Sequence, residues 1–185
     1  ISASSLDIFS EPKLDGLALS IHYENGLFSY AATRADGQTG EDVTHTIKTI
    51  KSVPIKLATN NPPEKLDVRG EVFLPKTAFE KLNRQAIQND SKVFVNPRNA
   101  AAGTIRQMNP KIAAERDLQF IPYGIGEYSG ERNFTRHSEI LDYLHTLGFR
   151  KNPHCYSFSG SFDAFEKNYH VMEQAREKLP MQIDG

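Results

Sequence analysis

The feature that most constrains this chain is the dipeptide Asn25-Gly26, set between two runs that read as strands. Residues 17–23 (Leu-Ala-Leu-Ser-Ile-His-Tyr) alternate, with Leu17, Leu19, Ile21 and Tyr23 on one face of a half-buried strand. A two-residue hairpin turn needs positive φ at both central positions, which Asn and Gly tolerate best. Residues 27–33 then return as the second strand. With a two-residue turn, paired residue numbers sum to 51, so Arg34 falls opposite Leu17. The loop before the first strand and the loop after the second must therefore meet at one end of the hairpin.

The rest of the chain mixes strands and helices. Val43, Ile47 and Ile50 make one helical stripe within 41–51, and Thr39 is a fair N-cap for that helix. A strand is expected at 66–74, with Leu66, Val68, Val72 and Leu74 on one face and Arg69, Glu71 and Phe73 on the other. Pro75 opens a helix carrying Phe79, Leu82 and Ala86. Asn96-Pro97-Arg98-Asn99 reads as a loop leading into the Ala-rich segment 100–108, and 118–125 as a strand. A helix at 136–147 carries Ile140, Leu144 and Leu147 and closes at Gly148. A last helix, about 162–178, carries Phe162, Phe165, Tyr169 and Met172, and Pro180 ends it. No regular βαβ alternation is present, so the fold class is α+β, with antiparallel strands and flanking helices.

Composition narrows the function. The 185 residues hold 22 Lys and Arg against 23 Asp and Glu, a net charge of −1, which argues against a chain that grips nucleic acid by charge alone. No apolar run is long enough for a transmembrane helix, and residues 1–5 do not have the pattern of a signal peptide. Cys155 is the single cysteine, so neither an internal disulfide nor a multi-cysteine zinc site is available, and the six histidines show no metal spacing. The expectation is a soluble cytoplasmic domain with no membrane partner. A first residue other than Met, and a closing Met181-Gln-Ile-Asp-Gly185 that reads as a strand cut short, suggest a piece of a longer protein.

Four segments can carry chemistry. In Glu11-Pro-Lys-Leu-Asp-Gly16 an amine, a carboxylate and a close-approach glycine lie within four residues, though a turn with a solvated Lys13 would look the same. Thr33-Arg34 through Glu41-Asp42 places two glycines and several hydroxyl and acidic residues before a helix, a setting that suits an anion as well as ordinary capping. The hairpin carries Arg34 towards Asp15 and Gly16, and a clustered Arg and Lys call for an anion such as phosphate. In Val68-Arg69-Gly70-Glu71, Arg69 and Glu71 share a strand face, and a surface ion pair is the plain alternative. Arg98 and Arg106, about two helical turns apart, can share a side and engage phosphate, or simply decorate a surface helix.

Taken in order, these segments resemble the nucleotidyltransferase (adenylation) domain of bacterial NAD-dependent DNA ligases. Glu11–Gly16, Ala32–Asp42, Val68–Phe73 and Asn96–Gln107 carry the likeness, and Gln182-Ile-Asp-Gly185 resembles the start of a further motif. K-x-D-G marks only the superfamily, shared with ATP-dependent ligases and capping enzymes; the second and fourth segments are peculiar to the NAD-dependent branch. The resemblance implies the nucleotidyltransferase fold of DNA ligases and capping enzymes, related to ATP-grasp. It makes Lys13 the nucleophile that attacks the α-phosphorus of NAD, expels nicotinamide mononucleotide and holds AMP for transfer to the 5′-phosphate of nicked DNA. A free lysine has a pKa near ~10.4, so the amine must be activated by a cation, a metal or burial.

The same likeness assigns Glu11 to the adenine side, Glu71 to the ribose hydroxyls and Arg34 to the nucleotide. Asp15 and Gly16 of the nucleophile motif, and Asp184 of the closing one, would support the lysine and a Mg²⁺ or Mn²⁺ ion, while Arg98 and Arg106 would face phosphates. Ala35 stands where the family usually has Gly, which stiffens that loop. Residues 1–185 would then be a partial adenylation domain of a monomeric enzyme. The module binding the nicotinamide mononucleotide half, the last two motif lysines, the oligonucleotide-binding fold, the zinc finger with its Zn²⁺, the helix-hairpin-helix region and the BRCT domain would lie elsewhere. An ATP-dependent ligase, a capping-type nucleotidyltransferase, or a non-catalytic nucleotide-binding module are the alternatives.

Overall fold

In the computed structural model, which describes residues 6–34 and 40–185, the Asn25-Gly26 turn forms as the dipeptide requires, with φ of 50° and 78°. The elements in order are β1 (Leu6–Ser10), β2 (Leu17–Glu24), β3 (Leu27–Thr33), α1 (Thr44–Ile47), β4 (Lys65–Phe73) and α2 (Lys76–Gln88). There follow α3 (Pro97–Ile105), α4 (Pro110–Ala114), β5 (Gln119–Tyr128), α5 (His137–Thr146), β6 (Tyr156–Gly160) and α6 (Phe162–Ala175), with a 3₁₀ turn at Arg176–Lys178. A four-stranded antiparallel sheet has the order β3-β2-β4-β5, and β1 pairs with β6 in a separate antiparallel ribbon.

The hairpin register shifts once. Glu24 pairs with Leu27 and Tyr23 with Phe28, but His22 pairs with Tyr30, so Ser29 is an extra residue on the returning strand. This bulge moves the register by one, and the Arg34 amide donates to the Ala18 carbonyl at 3.0 Å rather than facing Leu17. Arg34 still arrives at the end where β2 begins, which is what the site needs.

Leu19, Ile21, Leu66, Val68, Val72 and Leu74 are buried on one sheet face, beneath Ala100, Ala101 and Ile105 of α3 and Leu141 and Leu144 of α5. Phe73, on the opposite face as its parity requires, joins Ile121, Leu179, Met181 and Ile183 in a second, smaller core. Gly148 ends the α5 segment at φ 102°.

Two expectations are corrected. The segment 41–51 yields only the four-residue α1, although Val43, Ile47 and Ile50 are all buried. Its β-branched run (Thr44, Thr46, Ile47, Thr49, Ile50) disfavours a longer helix. The Thr39 cap lies outside the described residues, and Asp42 Oδ1 accepts from the Thr44 amide at 2.9 Å instead. The Asn96–Asn99 loop is a helix start: Asn96 is the N-cap, its side chain accepting from the Asn99 amide at 2.7 Å, with Pro97 as the first helical residue. The last helix forms as α6 with its 3₁₀ extension; of its apolar stripe only Met172 packs on the smaller core, Phe162 being 66% and Tyr169 57% exposed.

Candidate functional site

A cavity of about 610 Å³ opens at the end of the large sheet where β2 and β5 begin and β3 and β4 end. Lys13 reaches it from the loop ahead of β2, Arg34 from the end of β3, Glu71 from β4 and Arg98 from α3. Glu11 and Tyr123 also line it. The hairpin geometry is thus what puts the Lys13 loop and Arg34 together.

The Lys13 loop is held by backbone pairing with the end of the chain. The Lys13 amide donates to the Gly185 carbonyl at 2.8 Å, the Asp184 amide to the Lys13 carbonyl at 3.0 Å, and the Asp15 amide to the Gln182 carbonyl at 2.9 Å. Leu14 packs on the smaller core alongside its bridge partner Ile183, so burial of that cluster fixes the backbone that carries Lys13. Lys13 Nζ donates to both oxygens of Asp184, at 2.6 and 2.7 Å, and its side chain remains 69% exposed. Asp15 is paired with Arg98 Nη1 at 3.1 Å.

At Gly16 the Lys13 loop passes close against β4. A Cβ there would lie 2.2 Å from the Val72 carbonyl oxygen and 3.0 Å from Glu71 Cγ. Its amide donates to Glu71 Oε1 at 3.1 Å. Burial pushes the Glu71 carboxyl up to about 7; the Gly16 amide and the charges of Arg98 and Lys13 work in the opposite direction, and Asp15 adds to the rise.

The residues expected at the site do not all enter the cavity. Asp15, Gly16 and Asp184 stand directly behind it as partners of Arg98, Glu71 and Lys13. Arg106 does not reach the cavity wall. It is the C-cap of α3, and its Nε donates to Glu41 Oε2 at 2.8 Å. Ala35 lies outside the described residues.

Sequence reasoning missed Tyr123 and the wall formed by Arg150, Lys151, Asn152 and Cys155. Tyr123 is an extra residue in β5, since Gly70 pairs with Pro122 and Arg69 with Gly124. Pro122 and Gly124 flanking it were the available signal, because Pro and Gly inside a strand mark edges and bulges. Burial, with the neighbouring Glu11 charge, pushes the Cys155 thiol up to about 11, while Lys151 opposes; this thiol is not an activated nucleophile. Among the described residues, no cluster of three His, Cys, Asp or Glu side chains could hold a metal ion. No described helix is long and apolar enough to cross a membrane.

A cavity of this size, walled by two lysines, three arginines, two carboxylates and an aromatic ring, has the chemistry to accept a phosphorylated nucleoside. The comparisons with known proteins name the family. The sequence model of the NAD-dependent DNA ligase adenylation domain matches residues 1–185, and the chain belongs to that family. It is 48% identical over 176 residues to a DNA ligase of Xylella fastidiosa (strain 9a5c), covering 95% of this chain and 21% of that protein. It is 46% identical to the DNA ligase of Saccharophagus degradans, covering 98% of the chain and 27% of that protein. With the DNA ligase of Nitrosococcus oceani it shares 46% identity, over 97% of the chain and 26% of the relative. The chain therefore spans about a quarter of the length of these relatives.

Proposed function

We propose that this chain is part of the adenylation domain of a longer NAD-dependent DNA ligase, a soluble enzyme of the bacterial cytoplasm acting as a monomer on nicked DNA. The observation that carries the reading is Lys13 at the mouth of a cavity whose other polar groups suit one nucleotide. Arg34 and Arg98 supply positive charge for phosphate, Glu11 and Glu71 accept from base and ribose donors, and the Tyr123 ring offers a flat face to a planar base. The close passage at Gly16 supports the fit, since any side chain there would displace the Val72 carbonyl or Glu71. We read the fold as that of the ligase and capping-enzyme nucleotidyltransferases.

In this reading Lys13 Nζ attacks the α-phosphorus of NAD. An N–P bond forms, the P–O bond to nicotinamide mononucleotide breaks, and the leaving group departs with that electron pair. Attack needs a neutral amine, so Lys13 gives up a proton, and Asp184, already hydrogen-bonded to it, is the nearest acceptor. Arg34 and Arg98 face the charge that builds on phosphorus. AMP then passes from Lys13 to the 5′-phosphate of a nick, and the 3′-hydroxyl displaces it. A divalent ion would neutralise phosphate charge in such a transfer; the described residues offer it no cage, with Asp15 and Asp184 already engaged by Arg98 and Lys13, so it would arrive on the phosphates.

Incubating the full-length enzyme separately with NAD, ATP and GTP, and weighing the intact protein, tests the donor. An AMP adduct from NAD alone is expected. An adduct from ATP, or a GMP adduct from GTP, would transfer the chain to the ATP-dependent or capping branch. Tight nucleotide binding without any adduct would make it a non-catalytic module.

A further inference from the structure

Glu11 differs from the other carboxylates around the cavity in what holds it. Among the described residues Asp184 is paired with Lys13 and Asp15 with Arg98, whereas Glu11 is approached by an imidazole: His137 Nε2 lies 3.4 Å from Glu11 Oε1. Glu71 already accepts from the Gly16 amide. Glu11 is therefore the cavity carboxylate whose charge-bearing neighbour is a histidine, within ion-pair distance of it.

His137 is itself firmly placed. It is the first residue of α5, whose start is closed by Glu139 accepting from the amides of Thr135 at 2.8 Å and Arg136 at 3.3 Å. Arg136 also pairs with Asp7 of β1 at 3.3 Å. The Phe9 ring meets the imidazole edge-on, with centroids 5.6 Å apart and planes at 63°. The ring is thus fixed from below by the helix and from the side by β1, the strand that leads into Glu11.

We propose that His137 is a positioning residue for Glu11 and, through it, sets the preference of the cavity for a 6-aminopurine. This rests on the ligase reading above. A carboxylate accepts hydrogen bonds, so it favours the exocyclic amine of adenine and disfavours a 6-oxo group at the same place. Without His137 the Glu11 side chain is free to rotate, and binding must pay the entropy of fixing it. The cost falls on ground-state and transition-state binding alike, so it enters KM rather than kcat.

The test uses the full-length enzyme, with the rate of AMP-enzyme or IMP-enzyme formation measured against NAD and against nicotinamide hypoxanthine dinucleotide. His137→Ala is expected to raise KM for NAD about tenfold and leave kcat within about twofold. His137→Leu, which keeps an apolar contact with Phe9 but lacks the ring nitrogens, should match it. His137→Gln, whose amide can donate to Glu11, should return KM to within about twofold of the unaltered enzyme. With the hypoxanthine dinucleotide all four proteins should have the same KM. An equal loss with both dinucleotides, a fall in kcat at constant KM, or no effect of Ala and Leu with NAD would overturn the inference. If the unaltered enzyme forms no adduct with NAD, the ligase reading itself fails, and the inference with it.

Discussion

Replacing Glu71 with Gln separates what the site costs from what it does. The carboxyl is raised from its ordinary 4.5 to about 7, chiefly by burial. Its folded pKa lies above the unfolded one, so between these values the folded state holds the extra proton and stability falls as pH rises. The penalty is absent below about pH 4.5 and complete above about pH 7. A shift of that size corresponds to at most ~3.4 kcal/mol, and solvent reaching this half-buried side chain reduces it to about 1–2 kcal/mol. Glu71→Gln keeps the shape and an oxygen to accept from the Gly16 amide but carries no charge. Urea unfolding at pH 8 should therefore find the variant about 1–2 kcal/mol more stable, with the gain shrinking towards zero near pH 5. The same variant should bind NAD more weakly, because an amide is a poorer acceptor for ribose hydroxyls. A variant less stable at pH 8, or a difference unchanged between pH 5 and pH 8, would refute the claim that a buried charge is held at this position.

Other perturbations address the frame. Gly26→Ala, at φ 78° and with its new Cβ 2.7 Å from Pro62 Cβ, should destabilise the hairpin by about 1–2 kcal/mol in urea unfolding. Ile183→Ala opens the small core against which Leu14 packs and should cost about 2–3 kcal/mol in the same assay, while slowing adenylation because the Lys13 loop loses its support. Arg106→Ala removes an exposed pair worth about 0–1 kcal/mol, so its unfolding midpoint should barely move; since Arg106 does not line the cavity, KM for NAD should change less than in Arg98→Ala.

Much of the site was legible because it depends on local rules. Asn25-Gly26 fixes a two-residue turn, and strand parity then puts Glu71 opposite the core face and Arg34 beside the Lys13 loop. Side-chain parity on β4 also separated Phe73 from Leu66, Val68, Val72 and Leu74, as observed. What was not legible depends on insertions and on distant partners. Ser29 and Tyr123 are bulge residues, and a single extra residue in a strand leaves no periodic trace when its neighbours still alternate. The β1–β6 ribbon pairs residues about 150 apart, such as Asp7 with Ser159, and neither short strand carries a pattern strong enough to be read alone. The α6 stripe has helical spacing, yet spacing does not say whether a partner covers it. Arg106 shows the same limit: its place two turns after Arg98 was readable, but its pairing with Glu41 requires the path of a loop whose middle, residues 35–39, lies outside the described residues.

Lys13 is the residue expected to receive AMP. Intact-mass analysis of the full-length enzyme after exposure to NAD, repeated with Lys13→Ala and followed by peptide mapping, tests this directly. One AMP per protein on the Lys13 peptide, and none in the variant, is the predicted result. An adduct that persists in Lys13→Ala, or that maps to another residue, would contradict it.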